Sequence, residues 1–146
     1  MLTRLNFCGA SPETIKALSA LEGAANNLGL EASQLELVKA RASQLNGCAY
    51  WVDLHTTDAR KAGEADHCLR GVSARRETPF FSRRKHAALG WTVALTRLPL
   101  AHAPDADYEY QVANFSSKET ADLTLAISTI NRRNRLAVGL RRMPAA

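Results

Sequence analysis

Apolar residues recur along this chain every three or four positions, the spacing of a helix that buries one face. From this period we predict helices over about residues 12–29, 31–45, 48–62, 64–74, 82–98 and 105–114, and from about 117 onwards. No stretch alternates apolar and polar residues in the manner of a strand. The pattern predicts an all-α fold, a compact bundle of about six to seven helices.

Capping residues support several of these ends. Ser11 before Pro12 is typical of an N-cap followed by the first helical residue. Ser116 with Glu119 three positions later is a capping box that predicts the start of the last helix. Gly29 is predicted to end the first helix, and Pro99 the fifth.

Length and composition describe an ordinary globular protein. With 146 residues, 46% of them hydrophobic and 23% charged, the chain is expected to form one domain over residues 1–146. We expect no signal peptide and no membrane-spanning segment. Three cysteines, an odd number, indicate a reducing compartment, so we predict a cytoplasmic protein.

The net charge of +5 raises the possibility of nucleic-acid binding. The basic residues form clusters near predicted helix ends, at 75–76, 83–85, 132–135 and 141–142. Neither a basic recognition helix nor an aromatic stacking platform accompanies them. We therefore interpret them as solvated surface with cations near helix C-termini, and predict no nucleic-acid partner.

The predicted third helix carries a thiol, an indole and an imidazole on one face. At 100° per residue, Cys48, Trp51 and His55 fall within an arc of about 60°. Cys48 is placed in the first turn, where free N–H groups and the helix dipole are expected to lower its pKa. That is a basis for activated-thiol chemistry. Taken alone, however, the residues favour simple core packing, the commoner role of cysteine on an apolar helix face.

No metal and no cofactor are predicted. His55, His67, His86 and His102 show no ligand spacing with one another. Cys8 and Cys68 are interpreted as inert thiols, since antiparallel helices would hold Cys68 about 15 Å from Cys48, too far for a disulfide.

The run from Glu36 to Gly63, ELVKARASQLNGCAYWVDLHTTDARKAG, resembles the core signature of the AhpD-like alkylhydroperoxidases within the carboxymuconolactone decarboxylase superfamily. The similarity extends through residues 73–77, 89–96, 102–105 and 123–136. The resemblance implies an all-helical protomer that assembles into homo-oligomers, trimers or hexamers. It also implies a thiol-dependent peroxide reductase of antioxidant type, acting on a small-molecule peroxide with a thiol reductant.

In the family that this run resembles, two cysteines form a CxxC pair, and a histidine and a glutamate relay protons. By position, Cys48 matches the first, resolving cysteine, and Glu36 and His55 match the relay. Trp51 stands where the attacking cysteine is expected. The resemblance thus names Cys48, His55 and Glu36 as catalytic candidates and Trp51 and Tyr50 as substrate-binding candidates, with CxxC peroxidase activity weak or lost.

Two alternatives remain open. Arg75 and Arg133 stand where the family has tryptophan, and they could clamp a substrate carboxylate in a decarboxylase-like enzyme acting on a small carboxylated substrate. The other alternative is a non-catalytic oligomeric binding protein, in which Trp51 packs at a helix contact or closes a small-molecule pocket.

Overall fold

A computed structural model describes residues 2–144. Its α-helices, labelled α1 to α9, span Phe7–Ala10, Pro12–Asn26, Ala32–Leu45, Ala49–Lys61, Asp66–Gly71, Arg83–Thr96, Leu98–Ala101, Asp105–Val112 and Ser117–Gly139. A 3₁₀ helix, Val72–Glu77, follows α5 directly. Residues 2–144 contain no strand, so the all-α prediction is confirmed, with two short helices more than expected.

Helix α3 lies at the centre of the bundle and packs against α4, α6 and α9. Side chains on two faces of α3 pack into two different clusters of the core. Leu35 and Val38 join side chains of α6 and α9, whereas Leu37 joins side chains of α4, α5, the 3₁₀ helix and the opposite side of α6 at Leu89. Because α3 is buried on several sides, residues off its main apolar stripe also lie inside the protein. This position places Glu36 against α4.

Several predicted boundaries were wrong by a few residues. Helix α2 ends at Asn26, and Gly29 adopts a φ of +89° in the loop that follows. Helix α6 ends at Thr96, and Pro99 lies in the first turn of α7, where proline removes no helical hydrogen bond. Helix α1 was not predicted because its four residues show no helical period. None of the helices in residues 2–144 is both long and apolar enough to cross a membrane.

The capping box at the start of α9 is formed as predicted. Ser116 Oγ accepts from the Glu119 N–H, and Glu119 accepts from the Ser116 N–H and from Arg84. The hydrogen bond from Arg84 and those with Ser116 lower the pKa of Glu119 from 4.5 to about 2. The ionised carboxylate of Glu119 therefore connects the start of α9 to Arg84 on α6.

The depressed pKa of Glu119 gives a prediction about acid stability. A carboxyl whose pKa is lowered by folding stabilises the protein above its unfolded pKa of 4.5, and this contribution is lost as pH falls toward about 2. We expect the melting temperature of Glu119→Gln to fall less than that of the wild type between pH 4.5 and about 2. Glu109→Gln, at an exposed position in α8, is the control. Parallel pH profiles for the wild type and Glu119→Gln would contradict the prediction.

Candidate functional site

A tight turn between α3 and α4 places Cys48. Gly47 adopts a φ of +64°, which favours glycine, and the Cys48 N–H donates to the Ser43 carbonyl at 2.9 Å. The preceding Asn46 amide donates to Asn131 at 2.9 Å and to Asn134 at 2.8 Å, both on α9. The Asn-Gly pair therefore ends α3, and the amide network of Asn46 fixes the turn to α9.

Cys48 is the N-cap residue of α4, which begins at Ala49 rather than at Cys48 as predicted, and only 2% of the surface of Cys48 is exposed. Burial raises the pKa of its thiol, while the N–H groups of Trp51 and Tyr50 and the side chain of Asn134 act in the opposite direction without reversing the shift. The expected lowering of this pKa was wrong, because the helix N-terminus is present but desolvation of the thiolate outweighs it.

Open volume lies beside the buried thiol. A cleft of about 490 Å³ is lined by Cys48 and its neighbour Ala49, by residues at the end of α9, and by three arginines: Arg4, Arg141 and Arg142. Tyr50 and Trp51 are absent from this lining. Tyr50 instead stacks under the Arg142 guanidinium, 4.1 Å from the ring centroid. The sequence signal for this cleft was the basic pair 141–142, which we interpreted only as solvated surface.

Glu36 and His55 form a close pair between α3 and α4. His55 Nδ1 lies 2.7 Å from Glu36 Oε2, and Lys39 Nζ donates to Glu36 Oε1 at 2.8 Å. Burial alone would raise the pKa of Glu36, but the hydrogen bonds from His55 and Lys39 outweigh it and lower that pKa. Because the ionised carboxylate only accepts, Nδ1 of His55 carries the proton. The lone pair of a neutral His55 therefore lies on Nε2.

Trp51 separates this pair from the thiol. Its ring stacks on His55 with centroids 5.2 Å apart and planes 16° from parallel, and it shares a buried apolar cluster with Cys48. His55 Nε2 is buried and has no hydrogen-bond partner among residues 2–144. No hydrogen bond thus joins His55 to Cys48. The structure brings Glu36 and His55 together, and it places the indole of Trp51 on the face of the imidazole.

Arg133 holds the indole in this position. Its carbonyl accepts from Trp51 Nε1 at 3.3 Å, and its buried guanidinium donates to Glu22 at 2.6 Å and to Ser19 at 3.1 Å. The other arginine of the predicted carboxylate clamp, Arg75, lines a different cleft beside Arg41 and the 3₁₀ helix. The two guanidiniums have separate surroundings, so the structure gives the predicted clamp no support.

Ligand atoms of Glu36, His55 and Asp58 lie within 4.8 Å of one another. A lysine ammonium group already lies on each carboxylate, Lys39 on Glu36 at 2.8 Å and Lys61 on Asp58 at 3.0 Å. These ammonium groups neutralise the charge that would attract a cation. The arrangement therefore fits an ion-pair network better than a metal centre.

The structure is thus an all-helical bundle with a cysteine at the N-terminus of α4, a Glu36–His55 pair between α3 and α4, and Trp51 in contact with both. The profile of the carboxymuconolactone decarboxylase family matches residues 12–94. The uncharacterized protein YdfG of Bacillus subtilis is 32% identical over 140 residues, covering 96% of this chain and 95% of YdfG. The chain belongs to the carboxymuconolactone decarboxylase family.

Solved structures share the fold. A protein of unknown function from Agrobacterium tumefaciens, suggested to be the antioxidant defence protein AhpD, is 40% identical and covers 99% of both chains with a TM-score of 0.97. A peroxidase-related protein from Silicibacter has 23% identity and a TM-score of 0.77, covering 92% of this chain and 71% of its own. The debrominase Bmp8 has 16% identity and a TM-score of 0.85, covering 94% and 74%. These last two similarities establish the fold alone.

Proposed function

We propose that this chain is an AhpD-type antioxidant protein that lacks the fast two-cysteine cycle and reduces hydroperoxides slowly through the single thiol of Cys48. The stacking of Trp51 on His55 is the observation that carries the proposal. The indole covers one face of the imidazole of the Glu36–His55 pair, and no hydrogen bond joins that pair to the sulfur of Cys48. The cleft beside Cys48 supports a remaining reaction at the thiol.

The reaction balances with an external small-molecule thiol as reductant. The Cys48 thiolate attacks the terminal oxygen of the hydroperoxide, the O–O bond breaks, and the alcohol leaves after protonation by water. The resulting sulfenic acid condenses with one reductant thiol to a mixed disulfide and water. A second reductant thiol then releases Cys48 and forms the reductant disulfide. Each turnover oxidises two thiols and reduces one peroxide.

A slow reaction at Cys48 has a distinct pH profile. Because burial raises the pKa of Cys48, the thiolate is a small fraction at neutral pH, and below the pKa the rate should rise about tenfold per pH unit. We expect peroxide consumption to keep rising above pH 9 and to disappear in Cys48→Ser. Cys68→Ser, which replaces a buried thiol lying against the Phe80 carbonyl, is the matched control and should keep the wild-type rate.

Two results would contradict this proposal. Undiminished peroxide consumption in Cys48→Ser would place the chemistry at another group. A complete lack of thiol-dependent consumption by the wild type at every pH, together with alkylation of Cys48 only after unfolding, would instead indicate a binding protein without redox activity.

A further inference from the structure

A second cleft, of about 420 Å³, lies away from Cys48 and shares no lining residue with the cleft beside it. Four arginines from three elements line it: Arg41 from α3, Arg75 and Arg76 from the 3₁₀ helix, and Arg97 at the C-cap of α6. Glu77 is the one carboxylate in its lining. Four guanidiniums around one carboxylate leave this cleft with a large excess of positive charge.

Nearby acidic side chains offset only part of the charge of this cluster. In residues 2–144, no ion pair joins any of the four arginines to a carboxylate. Asp107 and Tyr110, both on α8, also act on the charge of Arg75, and neither forms an ion pair with it. Elsewhere, the partly buried cations Lys39, Lys85 and Arg133 are each paired with a glutamate.

The cluster carries an energetic cost in the protein alone. Burial and repulsion from neighbouring arginines lower the pKa of Arg41 and of Arg75. Nε of Arg41 is buried and has no hydrogen-bond partner in residues 2–144. An anion bound in the cleft would give this buried Nε a hydrogen-bond partner and offset the repulsion between the arginines.

Two arginines of the cluster, Arg41 and Arg75, lie against defined neighbours. Arg75 crosses α6 at Gly90, where an added Cβ would lie 3.4 Å from Nη2 of the guanidinium. A glycine at this position lets the side chain lie close to the helix. Nη1 of Arg41 donates a hydrogen bond to Oε1 of Gln44 at 3.2 Å. Arg75 therefore lies close against α6, and Arg41 is oriented by a hydrogen bond within α3.

We infer that this arginine cleft, lined by Arg41, Arg75, Arg76 and Arg97, binds the phosphate or pyrophosphate group of a small molecule. A carboxylate brings one charge and two oxygens, too little for several converging guanidiniums. A phosphate brings up to two charges and three terminal oxygens, and it accepts paired hydrogen bonds from more than one arginine. The cleft volume exceeds that of an inorganic phosphate, which leaves room for an organic portion.

Inorganic phosphate and pyrophosphate are the probes, and acetate at equal ionic strength tests whether a single carboxylate suffices. We expect pyrophosphate to bind more tightly than phosphate by isothermal titration calorimetry, and acetate to bind weakly. Arg97→Gln should weaken pyrophosphate binding at least about tenfold, the loss expected for one charge-assisted contact. Arg83→Gln, an exposed arginine outside the cleft, is the matched control and should bind as the wild type does.

A second readout separates a binding site from a merely structural cluster. Without ligand, Arg97→Gln should melt at a higher temperature than the wild type, because one repelling charge is gone, yet it should lose the rise that pyrophosphate produces. Equal binding by all variants would overturn the inference in favour of general surface charge. A changed oligomeric state in Arg97→Gln, with no pyrophosphate binding by the wild type, would make the cluster a protein interface instead.

Discussion

Trp51→Cys is expected to raise dithiol-dependent hydroperoxide reduction by about a hundredfold or more, the range that a positioned general base contributes. The substitution removes the indole that covers His55 and puts a sulfur three residues after Cys48 on the same helix face. His55 Nε2, which has no partner among the described residues, can then accept the proton of that new thiol. The Glu36–His55 pair needs no rearrangement, since its 2.7 Å contact is already formed.

The expected cycle in this variant uses both thiols. The new thiolate at position 51 attacks the peroxide and becomes a sulfenic acid, and Cys48 displaces water from it to form a disulfide. A dithiol reductant then restores both thiols. Trp51→Ala creates a similar cavity without a thiol, and Cys48→Ser on the Trp51→Cys background removes the resolving thiol. Neither control should show the dithiol-dependent rate.

Stability must be measured beside activity in these variants. Trp51 is 7% exposed, and truncating a buried tryptophan costs about 3–5 kcal/mol. Assays are therefore made well below the melting temperature of each variant, with folding checked by circular dichroism. A folded Trp51→Cys protein that gains no activity would show that the Glu36–His55 pair no longer serves as a relay in this chain.

The helices could be predicted from the sequence because their period and caps are local properties. The capping box at Ser116 and Glu119, and the break at Asn46 and Gly47, need nothing beyond four or five adjacent residues. Helix α1 was missed because four residues are too few to show a period. Local pattern thus accounts for most of the fold.

The site was predicted less completely because its properties depend on tertiary packing. The sequence shows that Cys48 begins a helix, but not that burial reverses the expected pKa shift. Glu36 lies off the main apolar stripe of α3, so periodicity does not predict its contacts with His55 and Lys39, which follow from α3 lying at the centre of the bundle. The residues that line the cleft beside Cys48 come from both ends of the chain, as Arg4 and Arg142 show.

Glu36→Ala is expected to destabilise the protein by about 3 kcal/mol at pH 7, because it leaves buried cationic and polar groups without their partner. Lys39 would keep only the Asn26 oxygen at 2.7 Å, and His55 would lose its one hydrogen bond among the described residues. Glu36→Gln keeps the shape and one acceptor oxygen, so it should cost less, about 1–2 kcal/mol. Urea unfolding at pH 7 measures both differences.

The pH dependence distinguishes the charge of Glu36 from its packing. Since folding lowers the pKa of this carboxyl, its ionised form stabilises the protein above the unfolded value of 4.5, and the contribution is lost as pH falls through the lower, folded pKa. The gap between the wild type and Glu36→Gln should therefore narrow below pH 4.5. A difference in stability that stays constant would mean that hydrogen-bond geometry, not charge, accounts for the effect.

Because Glu36 stabilises the fold in this way, lost activity in Glu36→Ala would not by itself identify a proton relay. Glu36→Gln on the Trp51→Cys background tests that role, since the variant should remain folded while His55 lacks the carboxylate that makes it a base.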